Sequence, residues 1–297
     1  MAILLSVFLA QVDGLTGDTD NQLSDLENER NITAAVERYS KDAPDTYTED
    51  VTGDGGKYYS VANLTYWTEG FSQVLSIEYP AATIASDEMP IYLEPEDWQD
   101  NYWAEISSVH TRHIYLPNHA PAATETMRIT YTLPYLWTAG GTAASVSQTG
   151  HGFSTNGYVY YNDSNSTYYS ADSIRIATHQ VITVPDANSF TAKILGVDIP
   201  TEHFFAVCHL AAGLSCQALA AKYASIGRSL VNVDSAAHMS KSTDYAKRAK
   251  EFIDLYRNQL GLDQANDHKA AGEFVDWDTK PGYPGNRDYL HHSGGIR

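Results

Sequence analysis

Three closely spaced histidines are one group in this sequence whose residue type could bind a metal ion. His110 and His113 lie in the stretch HTRH, and His119 follows six residues later. Imidazole groups often bind transition metals, but residues i and i+3 of a strand point to opposite faces of a sheet. No carboxylate stands at a ligand spacing nearby. We therefore interpret these histidines as surface or interface residues and predict no metal site.

The two cysteines of the chain, Cys208 and Cys216, enclose the stretch CHLAAGLSC. Zinc sites usually pair cysteines roughly two to four residues apart, and this spacing does not match. The stretch has a helical pattern, so the two thiols would lie about 12 Å apart along the helix axis, too far for a disulfide. We interpret both as small buried hydrophobic residues, and nothing indicates an oxidising compartment.

Glycine-rich and acidic stretches lack the spacing that phosphate or calcium binding requires. GDGG (53–56) and GGT (140–142) are not followed by the residues of a phosphate-binding loop. EPEDWQD (94–100) holds four acids but not the alternating pattern of a calcium loop. No G-x-S-x-G nucleophile motif occurs. We therefore predict no catalytic residue, no cofactor and no enzymatic activity.

The densest of the tyrosine-rich stretches is YVYYNDSNSTYY (158–169). The Asn, Asp and Ser residues in its middle favour a turn and predict a β-hairpin. The tyrosines that would contact a partner are Tyr158, Tyr160, Tyr161, Tyr168 and Tyr169. Aromatic faces beside Asn and Asp groups suit carbohydrate, and paired tyrosines also stabilise a hairpin or dock it to another protein. Of these two interpretations we favour the protein contact.

The segments that position these residues change type along the chain, which predicts an α+β fold. The predicted segments are helices in 1–46, a small antiparallel sheet or barrel in 57–136, a hairpin-rich insertion or arm in 137–200, an antiparallel helix pair in 201–261 and an extended tail in 262–297. Residues 1–136 and 201–261 would together form the core.

Patterns within these segments give specific expectations about faces. A short N-terminal amphipathic helix would hold Ile3, Leu4, Val7 and Phe8 on one face. One strand face would hold Phe71, Leu75, Ile77 and Tyr79, and another would hold Met127, Ile129, Tyr131 and Leu133. Apart from the short apolar start, no run approaches the length that spans a bilayer, so we predict no membrane partner.

The stretch SKSTDYAKRAKEFIDLYRNQLG (240–261) predicts a helix capped by Ser240 or Ser242 and ended by Gly261. Its apolar stripe would be Tyr245, Ala249, Phe252, Tyr256 and Leu260. Four bases lie off this stripe, namely Lys247, Arg248, Lys250 and Arg257. The hypothesis is that these four residues face an acidic neighbour; the alternative is that they form a solvated helix face.

Charge is distributed unevenly in this chain of net charge −18. Residues 1–100 hold 20 acids and 4 bases, whereas residues 201–261 hold 7 bases and 5 acids. An acidic surface repels nucleic acid, so sequence-specific DNA binding is not expected. Opposite signs at the two ends of the core favour contacts between copies of the chain.

The order of several motifs resembles that of one protein family. It runs from AAVERYSKDAP, EDVTGDGGKYYSV and WTEGFSQVLSIEYP through ETMRITYTLPY to DSAAHMSKSTDYAKRAKEFIDLYRNQLG. This set, within 30–136 and 203–261, resembles the head-to-tail adaptor (connector) proteins of tailed bacteriophages. Residues 137–200 depart from the short connection usual in that family.

The resemblance implies a virion structural protein of the neck, made in the host cytoplasm. It implies a homo-oligomeric ring of twelve copies that binds the portal protein on one side. A tail, stopper or tail-terminator protein would bind on the other side, and DNA would pass through without sequence-specific binding. Two alternatives stay open: a β-rich virion protein that binds a glycan or receptor, and a metal-dependent hydrolase that uses some of the eleven histidines.

Overall fold

The computed structural model describes residues 2–18, 20–81, 89–106, 109–140, 143–162, 167–171, 178–229 and 233–262. Within these residues four helices combine with antiparallel sheets, so the prediction of an α+β fold is confirmed. The expected tail, 262–297, lies outside the described residues except for Leu262.

Four helices belong to the two ends of the chain. They are α1 (Leu5–Thr16), α2 (Asp25–Asp42), α3 (Phe204–Ser229) and α4 (Val233–Gln259). A capping box begins α2, because the Ser24 hydroxyl accepts from the Glu27 amide and the Glu27 carboxylate accepts from the Ser24 amide. Gly261 has a left-handed φ of 67° just after α4, as expected for the residue that ends a helix.

Thirteen strands are found among the described residues. They are β1 (Ile3–Leu4), β2 (Asp45–Thr52), β3 (Tyr58–Ser60), β4 (Val74–Glu78), β5 (Gln99–Ile106), β6 (Val109–Tyr115), β7 (Thr126–Leu133), β8 (Thr138–Ala139), β9 (Ala144–Ser147), β10 (Tyr158–Asn162), β11 (Thr167–Ser170), β12 (His179–Asp186) and β13 (Ser189–Val197).

Residues 45–133 form two three-stranded antiparallel sheets, ordered β2–β7–β4 and β3–β6–β5. The two sheets share one buried cluster, which includes Tyr59, Ile77, Ile114, Met127, Ile129 and Tyr131. The inward face predicted for β7 is therefore confirmed at Met127, Ile129 and Tyr131. Strand β2 was not expected from the sequence.

The strand face predicted around β4 is only partly correct. Ile77 is fully buried, but Leu75 is 50% exposed and Val74 is buried in its place. The cause is an irregularity in the pairing of β4 with β7 between Val74 and Ser76, which shifts the alternation of side chains by one residue.

A third sheet of seven strands has the order β1–β13–β12–β10–β11, and β8 and β9 also pair with β13. Its outer part has its own small core of Val159, Val181, Phe190 and Ala192. At its base, Trp137, Leu195, Val197 and Ile199 belong to the main core, which they share with all four helices. The two ends of 137–200 thus lie in the helical core rather than in an arm outside it.

The first residues also differ from expectation. Ile3 and Leu4 are extended because they pair with Val197 and Gly196 of β13, and α1 begins only at Leu5. The buried face of α1 is Leu5, Phe8, Val12 and Thr16, whereas Val7 is 47% exposed. The predicted face of Ile3, Leu4, Val7 and Phe8 is therefore wrong except at Phe8.

The predicted start of the last helix is wrong as well, because α4 begins at Val233 and not after Ser240 or Ser242. The hydroxyl groups near this position do not cap the helix. Ser242 donates to the Ala220 carbonyl of α3, and Thr243 donates to the Met239 carbonyl one turn earlier. Both hydroxyls are thus satisfied in the middle of a helix.

The expectation that no further run approaches membrane-spanning length is wrong for residues 201–227, which include most of α3. Among the described residues this helix is long and apolar enough to cross a bilayer. However, 56% of its most apolar stretch is buried inside the protein, packed against the other helices. A core helix meets the same criterion of length and composition.

Candidate functional site

Two bases of the helix pair are bound within the chain, to residues at the start of α2 and in the segment just before it. Lys222 of α3 donates to the Glu27 carboxylate and to the Gln22 carbonyl, both at 2.7 Å. Lys241 of α4 donates to the Asp20 carboxylate at 2.5 Å. These contacts use bases of the C-terminal helices to neutralise acids of the N-terminal segment in the same molecule.

The surroundings lower the pKa of two acids near the start of α2 and raise the pKa of a third acid, in α1. Hydrogen bonds from Lys241 and Tyr223 lower the pKa of Asp20. Burial acts to raise the pKa of Glu27, but hydrogen bonds from Lys222 and Ser24 bring this pKa below its ordinary value. Burial, followed by the nearby carboxylates of Asp25 and Asp18, raises the pKa of Asp13. Asp13 is thus the acid in this group that is destabilised by its surroundings.

Arg248, one of the four predicted interface bases, is also used inside the chain. Its guanidinium donates to the Leu15 carbonyl in the last turn of α1 at 3.0 Å. It also lies 5.7 Å from the centre of the Tyr245 ring. A cation at this position compensates the partial negative charge of a helix C-terminus. Arg248 is half-buried, so its described contacts stabilise the subunit.

The other three predicted bases, Lys247, Lys250 and Arg257, are exposed. Their spacing of three and seven residues places them on one face of α4. Among the residues that the structure describes, their side chains form no ion pair and no hydrogen bond. We call these three residues the basic face of α4.

Next to the basic face, α3 and α4 leave a groove along their contact. One part of it has a volume of about 420 Å³ and is lined by Gln217, Ala220, Ala246, Ala249, Lys250, Ile253, Asp254 and Arg257. The adjoining part, about 340 Å³, is lined by Ala34, Arg38, Asp42, Leu210, Leu214, Ile253, Tyr256, Arg257 and Leu262. The two parts share Ile253 and Arg257, so we treat them as one feature, the α3–α4 groove.

The tyrosine hairpin is confirmed, since β10 and β11 pair antiparallel. Its inner face is occupied: Tyr161 packs on Tyr168, and the Tyr168 ring meets Phe190 edge-on at 5.3 Å. Tyr158 packs against the main core. On the outer face Tyr160 and Tyr169 stack at 5.3 Å between ring centres, with Tyr169 38% exposed. Of the five predicted tyrosines, Tyr160 and Tyr169 are thus the two that stack on the outer face.

Histidine and cysteine residues do not assemble into a reactive centre in the described part of the chain. No group of three or more His, Cys, Asp or Glu side chains there is arranged to hold a metal ion. Cys208 and Cys216 are fully buried and unpaired, as the sequence predicts. Burial raises the pKa of Cys208 to about 12 and that of Cys216 to about 11, so both are protonated thiols at neutral pH.

Sequence reasoning missed the inward-facing bases and the polar cluster beside the groove. In that cluster the Asp42 carboxylate accepts from Arg38 and from the hydroxyl of Tyr256, each at 2.8 Å. The i,i+4 spacing of Arg38 and Asp42 is a signal in the sequence. The partner from α4 is 214 residues away in the chain, and no local pattern indicates such a contact.

Comparisons with protein-family models, with curated proteins and with solved structures find no match to this chain.

Proposed function

We propose that this chain is a structural protein of a tailed bacteriophage, a head-to-tail connector that forms a ring in the neck of the virion. The observation that carries the proposal is the basic face of α4, three exposed bases without an ion pair among the described residues. These bases belong to a chain whose first hundred residues hold 20 acids and 4 bases. The resemblance of the ordered motifs to connector proteins supplies the biological setting.

A ring requires a head-to-tail interface, in which one surface of each copy complements a different surface of the next. The basic face of α4 is one such surface. Exposed acids in strand β2 and in loops beside the sheets, among them Asp45, Asp54, Glu94 and Glu96, provide the opposite sign. In the proposed ring, the basic face of one copy would contact these acids of the next copy.

The proposed ring would have twelve copies, would bind the portal protein on one side and a tail or stopper protein on the other, and would line the channel through which DNA leaves. An acidic channel suits this role because it holds the DNA backbone weakly. The chain would act without catalysis and without a cofactor. Its place in the infected cell would be the cytoplasm, and then the virion.

Electron microscopy tests the proposal directly. Purified full-length protein, alone and mixed with the portal protein of the same phage, should give ring-shaped particles with twelve-fold class averages. Particles that carry a gold-labelled chain should show the label at the neck. A protein that stays monomeric both alone and with the portal protein, and that is missing from purified virions, is not a connector.

The outer tyrosine pair favours a second candidate function, a virion protein that binds a glycan. Tyr160 and Tyr169 present stacked rings on the outer face of the hairpin, and sugars bind to such faces. A glycan array with the intact chain and with the Tyr160→Ala/Tyr169→Ala variant tests this. Binding that the double substitution removes would support it, and an array without signal would exclude it for the sugars present.

A further inference from the structure

The α3–α4 groove begins where the described chain ends. Leu262 lines the groove, and 35 residues follow it in the sequence. The α3 residues that line it, from Leu210 to Ala220, span about 15 Å along the helix axis. A segment of about five extended residues is long enough to fill it.

The groove has an apolar floor and a rim of mostly positive charge. The floor includes Ala220, Ala246 and Ile253. The two alanine side chains are small and Ile253 is half-buried, so space remains between the helices. Lys250 and Arg257 stand on the rim. The other charged residues of the groove are Arg38 and Asp42, which bind each other, and Asp254. The two bases without an ion pair therefore outnumber the remaining acid.

One segment beyond Leu262 has the matching composition. Residues 273–278, EFVDWD, place three large apolar side chains among three acids. Phe274, Val275 and Trp277 would bury apolar surface on the floor, and the acids would pair with the rim. The other apolar pair in this part of the chain, Tyr289 and Leu290, has one acid beside it, Asp288, together with Arg287 and two histidines. It therefore lacks the excess of acids that would complement the rim.

We infer that residues 273–278 bind in the α3–α4 groove of their own chain. Ten residues separate Leu262 from Glu273, and ten residues reach at most about 33–36 Å, more than twice the length of the groove. A tether of this length gives an effective concentration of the order of millimolar. Because of this, a segment that would bind only weakly as a free peptide still occupies the groove for most of the time.

This inference does not depend on the proposed function, since it concerns the isolated chain. Lys250 and Arg257 belong both to the rim of the groove and to the basic face of α4. In a ring, an acidic neighbour would compete with the segment for these two residues. Lys247 does not line the groove and stays available in both states.

Disulfide trapping in the full-length chain tests the inference. Ala246→Cys in the groove is combined with Val275→Cys in the segment, and mild oxidation is applied to dilute protein. The native thiols of Cys208 and Cys216 are fully buried and do not compete. We expect an intrachain disulfide, identified by peptide mass mapping, at a yield at least ten-fold above that of a control pair, Val7→Cys with Val275→Cys. Val7 is exposed on α1, away from the groove.

Charge reversal makes the test specific. Lys250→Glu with Arg257→Glu should lower the disulfide yield at least five-fold, and adding Asp276→Lys with Asp278→Lys should restore it. Circular dichroism of each variant verifies that the helices are intact. The inference would be overturned by equal disulfide yields for the groove and control pairs. It would also be overturned if charge reversal left the disulfide yield unchanged. Disulfides that form between chains instead of within one chain would also overturn the inference. They would show that copies of the chain exchange this segment.

Discussion

At the scale of single residues, two tyrosine hydroxyls of α4 show how the surroundings of a hydrogen bond set its contribution to the free energy of unfolding. Tyr256 is buried and donates to the Asp42 carboxylate at 2.8 Å. Tyr245 is half-buried and donates to the Gly17 carbonyl at 3.3 Å in an exposed position. A bond to a charged acceptor in a buried site is worth about 1.5–3 kcal/mol, and water replaces an exposed one at little cost.

The Tyr256→Phe substitution should lower the free energy of unfolding by about 1.5 kcal/mol, because Asp42 loses a buried donor while its contact with Arg38 remains. Tyr245→Phe is the matched control and should cost less than about 0.5 kcal/mol. Urea denaturation with an unchanged m-value measures both. Equal effects of the two substitutions would contradict this account of the Asp42 cluster.

Asp13 gives a prediction about pH. Since its pKa is raised in the folded chain above the ordinary value of 3.8, the folded state binds the proton more tightly than the unfolded state. The cost of the charged form is therefore fully present at pH 7 and disappears as pH falls below 3.8. Asp13→Asn should raise stability at pH 7 by a few tenths of a kcal/mol, because a neutral side chain avoids the cost of a partly buried charge and the repulsion from nearby carboxylates.

Thermal unfolding of Asp13→Asn and of the parent chain at pH 7 and pH 3 measures this difference. The benefit of the substitution should shrink toward zero at the lower pH. Glu96→Gln, which removes the same charge from an exposed loop, is the control and should show little effect at either pH. An Asp13 variant that is less stable than the parent at pH 7 would show that the carboxylate is needed by Asn28, which donates to it.

At the scale of elements, Gly213 is one of the positions where α3 and α4 approach each other closely. A Cβ atom at Gly213 would lie 3.0 Å from Cγ1 of Ile253 and 3.3 Å from the Ala249 carbonyl oxygen. Gly14 of α1 has nothing within 4 Å of the same position. The two glycines thus separate the effect of packing from the effect of helix propensity.

Gly213→Leu should reduce stability by about 1–3 kcal/mol, because the added side chain forces α3 and α4 apart. Gly14→Ala should increase it by about 0.5–1 kcal/mol, since alanine favours the helix and meets no neighbour. Chemical denaturation measures both changes. A Gly213→Leu variant of parental stability would show that the helices separate without cost.

Elements with local signals were predictable from the sequence, and those held by distant contacts were not. Ser24, Glu27 and Pro44 mark the limits of α2, and strict alternation marks β7. Strand β2 was missed because acids and threonines interrupt its apolar positions, and its pairing with β7 joins segments about 80 residues apart. The same applies to the site: the bases on α4 were found, but the inward contact of Arg248 with α1 was not.

At the scale of the whole molecule, whose net charge is −18, the basic residues of the C-terminal helices form two groups with different contacts. Lys222, Lys241 and Arg248 bind the N-terminal segment inside the subunit. Lys247, Lys250 and Arg257 face outward. Substitutions in the first group should affect folding, and those in the second group should affect association, which allows the two roles to be separated by experiment.

Reversal of the outward group, Lys247→Glu with Lys250→Glu and Arg257→Glu, should abolish association of the chain without loss of folding. Exposed charges attract over about 8 Å at 0.15 M salt and only about 3 Å at 1 M, so association of the parent chain should also weaken at least ten-fold between these conditions. Sedimentation velocity over a range of protein concentrations measures both effects.

Arg248→Glu is the informative contrast to that triple variant. It removes a cation from the end of α1 and should lower the free energy of unfolding by about 1 kcal/mol, while each folded subunit keeps its basic face. At temperatures well below unfolding, this variant should therefore associate like the parent chain. Association that survives the triple reversal and high salt would instead place the contact between copies on apolar surface, away from the basic face of α4.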